Sequence, residues 1–153
     1  MVRRFSSIAL AVVVLSGCAT SMDDLQDQSQ LSGASQAVQM GQYSQAEQRL
    51  SPFVYRNSKG NLKVKYFGVS GENRKHAIDI VVSLLWETGR DDTLKQFACD
   101  YLEGAEYETT VCRIAERQAQ YEEAYHCWND MGEVDRAERV IRTESALRIL
   151  GTP

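Results

Sequence analysis

The sequence predicts a mainly α-helical fold: antiparallel helical hairpins, forming either a regular array or an irregular bundle, with a small β-hairpin inserted at about residues 53–69. Three observations carry this. Apolar residues recur at i, i+3, i+4 through most of residues 73–150, which marks one face of a helix each time. The connections between successive stripes are two or three residues long, so neighbouring helices must run antiparallel. The two prolines stand at Pro52 and Pro153, so no helix is interrupted from within.

The chain opens with Arg3 and Arg4, an apolar stretch from Ile8 to Leu15, and then small residues. A charged start, a short apolar core and small residues describe a secretory signal over residues 1–17. The apolar stretch is shorter than the about 20 residues needed to cross a bilayer. Its end, Leu15-Ser16-Gly17-Cys18, resembles the lipobox of bacterial lipoproteins. That resemblance implies that a diacylglycerol is attached to the Cys18 thiol, that a peptidase cuts before Cys18, and that the new amine is acylated. Two or three acyl chains hold a protein durably, at about 0.8 kcal/mol per buried methylene. The membrane is thus one expected partner, through the anchor. Ala19 in place of an aspartate implies, by the same resemblance, the outer membrane facing the periplasm. Residues 18–34 are polar and rich in Gln, Ser and Asp, and read as a lipidated tether. A single helical domain is expected over residues 35–150.

Within that domain, residues 35–50 read as a helix broken near Gly41. Residues 53–69 change character: Leu62, Val64 and Tyr66 alternate with Lys63 and Lys65 beside the turn signal Asn57-Ser58-Lys59-Gly60. Period two around such a turn predicts a β-hairpin, with an ordered extended loop as the alternative. The alternation places Lys63 and Lys65 toward water and Leu62, Val64 and Tyr66 toward the body. Next, Ala77, Ile78, Ile80, Val81, Val82, Leu84, Leu85 and Trp86 leave a thin polar stripe of Asp79, Ser83 and Glu87, the pattern of a central, buried helix. Ser70 suits its N-cap, and Gly89 its C-terminal end. Asp91 and Asp92 open a helix carrying Leu94, Phe97, Ala98 and Tyr101. Three more stripes follow: Val111, Cys112, Ala115 and Ala119; Ala124, Cys127, Trp128 and Met131; then Val134, Ala137, Val140, Ile141, Ala146 and Leu147.

Three segments share a phrase: Gly41-Gln-Tyr43-Ser-Gln-Ala46, Ala119-Gln-Tyr121-Glu-Glu-Ala124 and Gly132-Glu-Val134-Asp-Arg-Ala137. A small residue permits a tight exit, an apolar residue clamps the turn, and alanine lets the helices approach. The phrase resembles the helix-turn-helix junction of tetratricopeptide repeats, which implies a repeat-like array. Its alanines are 78 and 13 residues apart, away from the family's period of about 34, so an irregular bundle stays open.

Without residues 1–17, 136 residues remain, enough for one modest core, and loss of Arg3 and Arg4 takes the formal charge from −4 to −6. An acidic chain argues against nonspecific nucleic-acid binding. Against that background Arg56, Lys59, Lys63, Lys65, Arg74 and Lys75 stand with one acid, Glu72, a local charge of +5. This basic segment is the candidate partner-binding surface. It could meet an acidic protein, a phosphate-bearing lipid, or the body's own acidic face. Failing it, a groove near Trp128 and Tyr125 is the next candidate. Beyond Cys18, the cysteines are Cys99, Cys112 and Cys127, an odd number in an oxidising compartment. Cys112 and Cys127 lie at equal offsets from the turn at Ala119-Gln120, so their pairing as a disulfide is expected.

No catalytic constellation is present. His76 and His126, the two histidines, lack metal-ligand spacing. Gly68-Val-Ser70-Gly71 is not a nucleophile elbow. Glu103, Glu106 and Glu108 read as a solvated loop. No phosphate loop or dinucleotide fingerprint calls for a cofactor. The expected role is therefore non-enzymatic: a lipid-anchored periplasmic scaffold or assembly factor with an envelope protein partner, in an outer-membrane complex such as a secretion or pilus machine. The alternative is a module binding peptidoglycan or lipopolysaccharide through the basic hairpin.

Overall fold

The computed structural model describes residues 22–150; the signal segment, Cys18 and residues 151–153 lie outside the described residues. Seven helices and one two-stranded antiparallel sheet follow in the order α1 (Met22–Gln39), α2 (Tyr43–Leu50), β1 (Val54–Arg56), β2 (Leu62–Val64), α3 (Gly71–Glu87), α4 (Asp91–Tyr101), α5 (Gly104–Arg117), α6 (Tyr121–Asp130) and α7 (Val134–Leu150). The protein is all-α with a small β insertion. Consecutive helices pack in hairpins, α1 with α2, α3 with α4, α5 with α6, and α7 closes against α6. α1 also lies along α3.

Four inter-helix turns are copies of one another. Gly41, Gly89, Ala119 and Gly132 all adopt positive φ. At each, the next residue's N–H reaches back to the carbonyl five positions earlier: Gln42 to Ala37, Arg90 to Leu85, Gln120 to Ala115 and Glu133 to Trp128, at 2.8–3.0 Å. The positive-φ residue bonds three positions back, as in a Schellman end. The following helix starts two residues later, and the residue five positions on is buried: Ala46, Leu94, Ala124 and Ala137. The turn phrase legible in the sequence thus marks real turns, and the Gly89 turn is a fourth that carries Asp91 and Leu94 where the others carry an apolar residue and alanine. The 78-residue interval between Ala46 and Ala124 contains the α3–α4 hairpin plus the β insertion, which is why no steady period is visible.

Ala119 is the one non-glycine among these turn residues, at φ 57° and exposed. A left-handed L-residue costs about 1–2 kcal/mol, partly offset by the extra unfolded-state freedom of glycine. Ala119→Gly should therefore raise stability by about 0.5–1 kcal/mol, seen as a higher urea midpoint at unchanged slope.

The polar tether expected for residues 18–34 needs correction. α1 begins at Met22, and Leu31 and Ala34 are fully buried with Ala37 and Val38. Its core face is made of small side chains and one leucine, so its apolar stripe is faint, yet it packs on α2 and α3. The helical domain therefore starts well before residue 35. Elsewhere the boundaries shift by a turn: α4 ends at Tyr101, and α5 begins at Gly104, which puts Glu106 and Glu108 on a helix rather than in a loop.

Two apolar clusters make the core. Leu31, Leu50, Phe53, Leu84, Leu94 and Phe97 belong to the first, which α1 to α4 and the hairpin share. α3 is its centre, and its predicted polar stripe of Asp79, Ser83 and Glu87 is exposed while Ala77, Ile80, Val81, Leu84 and Leu85 are buried. The Ser70 side chain accepts from the Asn73 N–H at 3.2 Å and caps this helix as its sequence suggested. The second cluster is built around Trp128 by Cys112, Ala115, Ala124, Ala137 and Val140 of α5 to α7. α5 serves both clusters: Ile114 faces the first, Cys112 and Ala115 the second. α7 is the last helix among the described residues, and it leaves Val134 and Ile141 exposed.

Candidate functional site

The β-hairpin is a docked insertion. Val54 pairs with Val64 and Arg56 with Leu62. The Asn57–Gly60 turn is closed by the Gly60 N–H on the Asn57 carbonyl at 2.9 Å, with Gly60 at φ 81°; the Asn57 side chain accepts from the N–H groups of Lys59 and Asn61. Phe53 and Val64 are buried against the helices. α4 grips the hairpin twice: the Val64 N–H donates to the Tyr101 hydroxyl at 2.8 Å, and Lys63 Nζ meets Asp100 Oδ2 at 2.6 Å.

This geometry redistributes the six basic candidates. Lys63, expected to face water, is held by Asp100 instead. Arg56 donates to the Gly60 carbonyl at 2.8 Å. Arg74 donates to the carbonyls of Tyr66 and Val69, and its guanidinium lies 4.2 Å from the Tyr66 ring centre. Lys59 at the hairpin tip, half-buried Lys65, and Lys75 on α3 have no ion-pair partner among the described residues. Half of the basic set thus makes contacts within the protein itself. Tyr66, expected on the body side, is 70% exposed because β2 ends at Val64 and the alternation stops there.

The Lys63–Asp100 contact is pH-dependent. The hydrogen bond from Lys63 holds the Asp100 carboxyl below its usual range, with the Gln96 amide adding to it and desolvation opposing; Asp100 in turn raises Lys63. A depressed carboxylate pKa contributes stability above the unfolded value, about 3.9, that is lost as pH falls through the folded value. The raised lysine contributes below its own unfolded value and loses that only at alkaline pH. The Val64 amide resonance should therefore titrate with Asp100 below pH about 3.9 and lose that inflection in Asp100→Asn.

The remaining sequence candidates are structural or isolated. His76 is half-buried on α3, and His126 is exposed, edge-on to Tyr125 at 5.3 Å. Ser70 is the cap already described. Among the described residues no group of three His, Cys, Asp or Glu side chains could hold a metal ion, and no helix is long and apolar enough to cross a membrane. Cys112 and Cys127 stand at disulfide distance, with Cα atoms 5.5 Å apart across α5 and α6, while Cys99 is free and exposed.

A second site was not legible as a motif. Arg113 of α5 and Arg136 and Arg139 of α7 converge on a recess of about 420 Å³ beside Trp128, Tyr121 and Glu116. Trp128 forms the floor, and its indole N–H donates to the Glu116 carboxylate. The Arg136 guanidinium lies 4.4 Å from the Trp128 ring centre, and that of Arg113 4.0 Å from Trp86. Arg90, Arg117, Arg142 and Arg148 each meet a carboxylate, whereas these three arginines make no ion pair among the described residues. Stacking on indoles fixes the guanidinium planes of Arg113 and Arg136 while leaving their N–H edges to bind an anion. Of the two residues named for a second candidate groove, Trp128 lines this recess and Tyr125 does not. The signal for the recess was weak: Arg136 and Arg139 share a helix face by their spacing, but Arg113 joins them only through the α5–α6–α7 packing.

Comparison of the chain with protein-family models, with curated proteins and with solved structures finds no match.

Proposed function

We propose that this protein is a lipid-anchored periplasmic interaction protein, a scaffold or assembly factor that binds an acidic segment of an envelope protein in the arginine recess. The observation that carries the reading is the convergence of Arg113, Arg136 and Arg139 on one recess, with no carboxylate among the described residues paired to any of them, in an acidic chain. Guanidinium groups match carboxylates in planar, two-point hydrogen bonding. Grooves between packed helices take extended or helical segments of partners. The anchoring half rests on Leu15-Ser16-Gly17-Cys18 at the end of a signal-like segment and on its likeness to a lipobox. An outer-membrane complex such as a secretion or pilus machine is the setting this make-up suits.

The second reading is binding of peptidoglycan or lipopolysaccharide through the hairpin. It is favoured by Lys59 and Lys65, with Lys75 at the nearby start of α3, which make no ion pair among the described residues.

One set of experiments separates these. A photo-crosslinking side chain at Thr143, on the recess wall, should give a defined protein adduct in intact envelopes. Arg139→Glu should reduce that adduct at least about tenfold, because opposing a charge at a buried ionic contact costs about 2–5 kcal/mol. The variant should fold normally, since Arg139 is exposed and its side chain makes no ion pair. An adduct of unchanged yield would overturn the recess reading, and adducts to glycan or lipid from a probe at Lys59 would favour the second. Cys18→Ser should leave an unprocessed precursor and no acylated species by mass. A mature, membrane-held Cys18→Ser chain would end the anchor proposal.

A further inference from the structure

The end of the domain nearest Cys18 carries an apolar surface. Met22 and Leu25, one turn apart at the start of α1, are 85% and 51% exposed. Tyr66 and Phe67, packed edge-on at 5.7 Å, are 70% and 89% exposed. The start of α3 brings the two pairs together. Buried Asn73, in the first turn of α3, reaches the Asp24 carbonyl of α1 with its side-chain amide at 3.5 Å. Its neighbour Arg74 stacks on Tyr66 and bonds the Tyr66 and Val69 carbonyls.

The position of Cys18 says what covers this surface. Only four residue steps separate it from Met22, and four steps span at most about 14 Å. With α1 folded from Met22 there is no long tether, so an acylated Cys18 would hold the start of α1 at the headgroup layer. Aromatic side chains favour that layer, and exposed apolar residues gain by entering it. The charges close in sequence to these residues do not favour one sign: Lys65, Arg74 and Lys75 stand beside Asp23, Asp24, Asp27 and Glu72. Insertion would therefore depend on the apolar residues and not on anionic lipid.

We infer that Tyr66, Phe67, Met22 and Leu25 form a membrane-seating surface that enters the headgroup layer of the bilayer holding Cys18. The inference rests on the anchoring half of the proposed function. It also orients the molecule. α3 runs about 22 Å from its start at Gly71 to Trp86, at about 1.5 Å per residue, and Arg113 of the recess stacks on Trp86. The recess is then held away from the bilayer, open to a periplasmic partner.

The test uses the full mature chain, acylated and reconstituted in phosphatidylethanolamine–phosphatidylglycerol vesicles. An environment-sensitive fluorophore is placed at Phe67→Cys in a Cys99→Ser background, and at Glu87→Cys, on the exposed far end of α3, as a reference. Far-UV circular dichroism confirms folding of both. The label at 67 should shift to the blue and be quenched by lipid-borne quenchers, with no change at high salt, while the label at 87 reports water. Flotation of the acylated chain with a water-like label at 67 would overturn the seating surface and leave the anchor standing. Absence of acyl chains on Cys18, with no flotation, would overturn both. A blue shift abolished by salt would overturn the apolar basis of the seating.

Discussion

Trp128→Ala is expected to destabilise the α5–α7 half by about 3–5 kcal/mol, the largest loss of any single substitution considered. Trp128 is 1% exposed, and the buried residues of its cluster are small, Cys112, Ala115, Ala124, Ala137 and Val140, with Tyr121, Tyr125 and Met131 at its half-buried edge. Alanines cannot move in to fill the volume of an indole, so the cavity persists and the upper part of that range applies. The indole also holds Glu116 through its N–H and lies under Arg136. Trp128→Phe keeps much of the apolar volume but loses the hydrogen bond, and should cost about 1–2 kcal/mol. Urea unfolding followed by far-UV circular dichroism measures both. The first cluster contains none of these residues except through Ile114 on α5, so its α3 amides should keep their protection in Trp128→Ala. Loss of protection throughout the domain would show that the two clusters unfold as one.

Much of the fold could be read from residues whose local physics has one solution. Asp79, Ser83 and Glu87 fall on one stripe of an otherwise apolar helix, so their exposure and the burial of α3 follow from spacing alone. Ser70 before Asn73 has the short acceptor that a helix start requires. The turn phrase is legible because a positive-φ exit and a buried residue five positions on are both coded locally. What escaped depends on contacts distant in sequence. Leu31, Ala34, Ala37 and Val38 form a core face too thin to stand out until α2 and α3 lie against it. Lys63 reads as a solvated lysine, and only the docking of the hairpin on α4 brings Asp100, 37 residues away, within 2.6 Å. The arginine recess is the extreme case, with its charges on α5 and α7 and its floor on α6. Periodicity identifies each helix face separately, but it carries no information on which faces close around a common space.

Replacing Cys112 and Cys127 with serine is expected to cost about 3 kcal/mol. The pair closes a loop with a sequence separation of 15, and closing about 15 residues removes about that much chain entropy from the unfolded state. Cys112 is fully buried with the Met131 sulfur 3.6 Å from its own, a weak acceptor for a serine hydroxyl placed there. The loss should be local at first. The bond joins α5 to α6 beside the Ala119 turn, while α3 and α4 are held by Leu84, Leu85, Leu94 and Phe97 in the other cluster. Native-state hydrogen exchange should therefore show faster opening of α5 to α7 with α3 little changed. The recess has Arg113 on α5, Trp128 on α6 and Arg136 and Arg139 on α7, so its shape depends on the same packing. Reduction of the wild-type chain should weaken the Thr143 photo-adduct along with α5–α6 protection. In Cys99→Ser, which removes the free exposed thiol, both effects should persist unchanged. Retained protection of α5 and α6 after complete reduction, verified by mass, would mean that helix packing alone holds the hairpin and that the disulfide contributes little.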